Sequence, residues 1–303
     1  NSKFASDFPR EYETWKQTAD TTFKSEFNSS QAVDVLAQRP NMVILWAGYA
    51  FSWDYATPRG HQHAVEDVRR TLRTGAPGVT EGKEPQPGTC WTCKGPDVPR
   101  VMKEQGVANF YKAPWSKWGD QIMNSVGCSD CHDSKTMDLK PARPALYEAW
   151  QRVGKDVNKA THQEMRSLVC AQCHTEYFFK GEGKYLTFPQ DSGMTVEAME
   201  KYYDAMNYKD YTHALSRAPI LKAQHPGYEV HQMGIHGQRG VSCADCHMPY
   251  MSKGGVKYTD HHIMSPLANI ERTCQTCHRQ SAETLRQNVY ERQRKCNEIR
   301  NRV

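Results

Sequence analysis

The chain has 303 residues, of which 38% are apolar, with a mean hydropathy of −0.79 and a formal charge of +5. That length suits one or two domains, but the apolar share lies below the ordinary globular range, so side chains alone would build a thin core. No apolar run approaches the length of a membrane span, and Lys and Arg are scattered apart from short clusters such as Arg69-Arg70 and Arg292–Lys295, which argues against a transmembrane segment and against nucleic acid as a partner.

In chain order, Asp7–Ala19 reads as a short helix, with Asp7 as its cap and Pro9 in the first turn. Met42–Trp46 is apolar and Tyr49–Tyr55 is aromatic-rich, so both suit the cover of a flat apolar group. Pro58-Arg59-Gly60 is a turn signal, and His61 follows it. A helix with Val65, Val68 and Leu72 on one side comes next. Gly75 and Pro77 stop it, and Arg73 sits at its carboxyl end. Gly75 to Gly88 reads as a Gly/Pro-rich loop.

The loop leads into Cys90-Trp91-Thr92-Cys93-Lys94. Four related stretches follow: Cys128, Cys131 and His132; Cys170, Cys173 and His174; Cys243, Cys246 and His247; Cys274, Cys277 and His278. Each has the form of a c-type haem attachment site, with two thiols to add to the vinyl groups and the next residue placed under the iron. Zinc ribbons would use the cysteines but leave the adjacent histidines without a reason. Disulfides or a redox pair would explain the repetition less well. The expected cofactor is therefore five covalent haems c. Pro144 starts a helix with Leu146, Trp150 and Val153 inward, ended by Gly154. The first cysteines stand at 90, 128, 170, 243 and 274, giving intervals of 38, 42, 73 and 31. The long interval must hold more than haem packing. It contains Glu176-Tyr177, a helix near Val196–Met206, and Lys222-Ala223-Gln224-His225-Pro226. Ser281–Val303 is one helical pattern with Leu285, Val289, Cys296, Ile299 and Val303 on a face, and more helix is expected beyond 303. Cys296, outside the motifs, is expected to be buried or partner-facing.

Five haems change the meaning of the composition. Each is a large apolar disc, so the expected fold is mainly α, a multihaem c-type cytochrome with helices and long loops wrapped round closely packed haems and little sheet. The haems would also bring about −5 of charge through their propionates, which cancels the basic balance. Haem c is attached outside the cytoplasm, so a periplasmic chain whose leader was removed is expected.

Lys94 sets one haem apart. A neutral amine is a σ-donor without the π interaction of imidazole, and it must lose its proton to bind. Electron-transfer haems take two strong ligands, whereas a catalytic haem leaves one position open. A substrate-free electron-transfer cytochrome, the competing reading, would want every iron six-coordinate.

Together, the Lys-bearing motif, Arg73 in Leu72-Arg73-Thr74-Gly75-Ala76-Pro77, the Cys170–Tyr177 stretch and Lys222–His225 resemble the pentahaem cytochrome c nitrite reductase family, which forms ammonia. The resemblance runs from about Asp7 to the end of the chain. It implies one multihaem catalytic domain over 1–303, with a Lys94 haem as the active site and four bis-His haems as an electron relay. It implies a pocket of Arg73, Tyr177 and His225 that binds nitrite, accepts hydroxylamine and sulfite, and delivers protons. It implies one Ca²⁺ held by Glu176, Tyr177, Lys222 and Gln224, hard oxygen donors suited to that ion. By local motif His61, His236 and His261 match the distal ligands of the third, fifth and second haems. That of the fourth is expected beyond residue 303, with His213 or His231 as substitutes. A homodimer and an electron-donor cytochrome or quinol dehydrogenase are the partners implied.

Overall fold

Residues 1–75 and 82–302 are described in a computed structural model. The expected Pro77 stop and the middle of the Gly75–Gly88 loop lie outside them, as does Val303. The frame is mainly helical, and its strands form three two-stranded antiparallel sheets, the longest pairing Tyr250–Lys253 with Val256–Thr259. The chain divides into two compact units. One takes Asn1–Gln31, Pro58–Gly60 and Cys243–Val303; the other takes Ala32–Thr57 and His61–Ser242.

The larger unit is built around the first motif. Trp91, between Cys90 and Cys93, is fully buried, stacks on Trp115 with ring centres 4.8 Å apart, and donates its Nε1–H to the Trp115 carbonyl at 2.8 Å. Val98 and Val101 of the helix Asp97–Gln105, Phe110 of Val107–Lys112 and Leu146 of Pro144–Arg152 close the same core. Apolar residues at spacings of three and four give these helices their buried faces. Gly95, directly after Lys94, is required by packing, since a Cβ there would lie 1.8 Å from the Asn124 carbonyl oxygen. This turn therefore passes flush against its neighbour.

The smaller unit holds the helices Pro9–Lys16 and Ala282–Arg300. At Gly60 a Cβ would lie 2.0 Å from the Thr18 carbonyl oxygen, so the turn at Pro58-Arg59-Gly60 needs glycine. Glu26 and Arg294 form a bidentate pair, with contacts of 2.7 and 2.6 Å.

Several local expectations change. Asp7 is not the cap of the first helix; Phe8 takes that position and Pro9 is the first helical residue, which fits its fixed φ. The helix after His61 ends at Arg70, so Leu72 is exposed and Arg73 lies in the turn beyond. Val153 follows the last residue of its helix and is exposed rather than inward. The final helix runs Ala282–Arg300; Leu285 is its one buried residue, while Cys296 and Ile299 are exposed.

Candidate active site

None of the eleven cysteines is joined in a disulfide. The motifs sit at a helix end or on short turns: Gly88–Trp91, Cys128–Cys131, the end of His162–Ala171, Cys243–His247 and Cys274–Thr276. In the second, Asp130 accepts from the Gly127 N–H at 2.8 Å and so fixes the entry of the turn.

Three ring orientations fit a metal-bound porphyrin. His132 directs Nδ1 to the Met137 carbonyl at 2.7 Å, His247 to Met264 at 2.9 Å, and His261 to Thr259 at 2.8 Å. A backbone acceptor at Nδ1 fixes the tautomer that leaves Nε2 for iron. The spacing of His61 and His174 fits too. An iron about 2 Å from each of two opposed ring nitrogens places the ring centres roughly 6 Å apart, and theirs are 6.3 Å apart. His225 lies at a similar 6.5 Å from His174, but its ring also packs edge-on against Tyr177 at 5.2 Å. Burial, with His174 and Lys94 adding, pushes the His61 pKa down to about 4, so its imidazole stays neutral, the form a metal requires.

Of the substitutes for a distal ligand, His213 is spent: Nε2 bonds the Ile44 carbonyl at 2.8 Å and Nδ1 accepts from the Ser216 N–H at 3.1 Å. The His231 Nε2 is buried with no partner among the described residues. His236 lies on the short helix Ile235–Gln238, in the larger unit, and His278 in the smaller.

The expected pocket residues come together in the larger unit. Burial raises the Cys90 thiol to about 11, while Lys94, Arg73 and Lys222 pull it the other way. Arg73 is held from behind. Its guanidinium lies 4.5 Å from the Phe51 ring centre and 5.7 Å from that of Tyr55, and its Nε donates to Thr71 Oγ1 at 3.3 Å. The Tyr177 phenol is driven well above its usual pKa by burial and by Cys90 and Cys93, so it keeps its proton. Burial, helped by His174, Lys222 and Lys94, lowers His225 to about 4. The His225 imidazole is therefore neutral near pH 7.

The expected calcium residues also converge. Glu176 accepts from the Gln224 N–H at 2.7 Å through Oε2 and from the Tyr203 hydroxyl at 3.0 Å through Oε1. Burial raises its carboxyl to about 7. Lys222 places its ammonium on Gln224 Oε1, within reach of Glu176 and Asp210. A cation thus already stands among these oxygens, as the donor set would favour. Among the described residues no cluster of three His, Cys, Asp or Glu side chains could hold a metal; this set has one carboxylate and otherwise amide and carbonyl oxygens.

The sequence did not reveal Phe51, Tyr203 or Glu229. Glu229 is fully buried and accepts from Thr175 Oγ1 at 2.7 Å and the Glu176 N–H at 3.0 Å, which fixes the segment leading to Tyr177. The signal was present for Phe51 alone, in the density of aromatics around it.

A helical frame carrying repeated Cys-x-x-Cys turns, with axial residues in place and a cationic pocket at one of them, defines a multihaem c-type cytochrome. The profile of the cytochrome c552 family matches residues 1–303, and the chain belongs to that family. It is 70% identical over 303 residues to cytochrome c-552 of Parabacteroides distasonis and 68% identical to that of Porphyromonas gingivalis. Both alignments take in 100% of this chain and 61% of the relative, so the chain spans about three-fifths of those proteins. Its fold matches the catalytic subunit of cytochrome c nitrite reductase from Desulfovibrio desulfuricans, a structure described for its two calcium sites. The TM-score is 0.89 at 34% identity, over 97% of this chain and 67% of that one.

Proposed function

We propose that this chain is the haem-bearing, catalytic part of an ammonia-forming nitrite reductase, with five haems c, one Ca²⁺ and a single catalytic domain over 1–303. The observation that carries the reading is the meeting of Arg73 and Lys222 over the Phe51 ring, with the paired rings of Tyr177 and His225 in the same unit as the Lys94 motif. Cys90, Cys93 and Lys94 would hold the haem, which would supply a substrate-binding iron and the electrons, relayed by the other four haems.

The chain's own residues do the rest. Arg73 binds the oxygens of the nitrite anion through charge-assisted hydrogen bonds. The protonated Tyr177 phenol donates a further one. His225 enters as neutral imidazole, and an anion brought in front of it raises its affinity for a proton, so substrate and proton arrive together. Complete reduction consumes six electrons and eight protons per nitrite and yields ammonium and two waters. The same donors suit hydroxylamine and, less closely, sulfite.

Calcium bound by the Glu176 carboxylate, the Tyr177 and Lys222 carbonyls and Gln224 Oε1 would brace both pocket residues that flank it, displacing the Lys222 ammonium. His61, which shares a unit with Cys170, Cys173 and His174, would help hold the haem attached there. The resemblance alone supports a periplasmic homodimer that receives electrons from a cytochrome or a quinol dehydrogenase.

The test is an EPR and visible titration of the oxidised, haem-loaded protein with nitrite, followed by an ammonium assay. A single high-spin iron that responds to nitrite, with ammonium formed at steady state, is expected. Low-spin iron throughout, indifferent to nitrite, would leave an electron carrier instead.

A further inference from the structure

Arg143 links three attachment turns. It is 1% exposed. Its Nε donates to the Thr92 carbonyl at 2.5 Å, and its Nη2 to the Gly95 carbonyl at 3.0 Å and to Asp130 Oδ1 at 2.5 Å. Thr92 lies inside the first motif, Gly95 directly follows Lys94, and Asp130 lies inside the second motif. The third motif joins through Gln172, which stands between Cys170 and Cys173. Gln172 Oε1 accepts from the N–H groups of Ala142 and Arg143 at 2.6 and 3.1 Å, and Nε2 donates to the Asp130 carbonyl at 2.7 Å. Within this frame Cys93 and Cys173 are close neighbours.

An arginine is needed here for its shape. Its planar fork reaches acceptors on two different turns at once, which the single ammonium of a lysine cannot do. The buried Asp130 carboxylate neutralises it, and the remaining acceptors are backbone carbonyls, so the network is sequence-tolerant everywhere except at Arg143, Asp130 and Gln172. None of these three touches Arg73, Tyr177 or His225 through any of these bonds.

We propose that Arg143 is a positioning residue for electron delivery to the Lys94 site. It sets the first attachment turn against the second and third, so that groups carried on Cys93 and Cys173 are held side by side. The proposal rests on the reading that these motifs carry haem and reduce nitrite. Its consequence is specific: a loosened fork should slow delivery of electrons without weakening the substrate pocket, because reaction rates respond steeply to small misplacements.

The experiment compares the haem-loaded full-length protein with Arg143→Lys and, as a milder change that keeps volume, Gln172→Met. Haem at each motif is counted from peptide masses, nitrite affinity is read from the optical titration, and reduction of the Lys94 iron is followed by stopped flow. Full haem loading and an unchanged nitrite affinity are expected. Turnover at saturating nitrite, and the reduction rate, should fall by about tenfold in Arg143→Lys and by roughly threefold in Gln172→Met. Unchanged rates in fully loaded variants would overturn the proposal. So would losses that merely follow missing haem or weaker nitrite binding, since these indicate a folding role. A parent protein that lacks haem or ignores nitrite would instead sink the functional reading itself, before any variant is made.

Discussion

At the scale of single residues, the pocket depends on how a guanidinium is aimed. Arg73 and Lys222 both lie over the Phe51 ring, at 4.5 and 4.6 Å from its centre. Such contacts contribute about 0.5–2 kcal/mol each. Phe51→Leu should leave haem attachment intact and raise KM for nitrite roughly threefold, with kcat little changed. Arg73→Gln removes the charged partner itself, and a loss of about 1.5–3 kcal/mol is expected in nitrite affinity, read from the same optical titration. An Arg73→Gln enzyme with parental affinity would mean that the anion binds elsewhere. The attachment residues were legible in the sequence because covalent attachment and axial ligation need neighbours along the chain. Arg143 was not, because its partner Thr92 lies 51 residues away and spacing says nothing about such a pair. The low pKa of His225 was equally invisible, since desolvation is a property of the packed site and not of the residue type.

At the scale of elements, the helix His162–Ala171 delivers Cys170, and its start is a capping box. The Thr161 hydroxyl accepts from the Glu164 N–H at 3.2 Å, and Glu164 Oε2 accepts from the Thr161 N–H at 2.8 Å. Thr161→Ala should cost about 1 kcal/mol. These bonds favour the Glu164 carboxylate and lower its pKa in the folded state. A depressed carboxyl contributes stability that is present above the unfolded pKa and lost as pH falls through the folded one. The melting temperature of the parent should therefore lose this increment in acid, whereas Glu164→Gln should show a flatter dependence over the same range; parallel curves would exclude the box as a source of stability. The helix starts at Thr195 and Ser281 obey the same chemistry, with side-chain caps to Ala198 and Thr284. Helix ends were harder to read, because apolar periodicity continues past the hydrogen bonds. Leu72 and Val153 fall at helical spacing but lie beyond the last turns.

At the scale of the whole molecule, the two units differ in what holds them. The larger has a continuous core centred on Trp91, Phe110, Trp118 and Leu146. In the smaller, the buried apolar residues among those described are Phe4, Trp15, Ala244, Ile270 and Leu285. So few side chains cannot offset the conformational entropy of ordering the segment, which costs on the order of 1–2 kcal/mol per residue for the backbone alone. The smaller unit also carries the motifs at Cys243–His247 and Cys274–His278, so two haems would supply the missing interior. Low overall hydropathy had pointed to a haem-dependent fold, but composition is an average and could not locate the dependence. We expect the Cys274→Ala/Cys277→Ala protein to become sensitive to limited proteolysis within residues 243–302, while residues 61–242 persist as a resistant fragment. Equal resistance throughout, with the fifth haem absent by mass, would show that the smaller unit does not depend on the fifth haem.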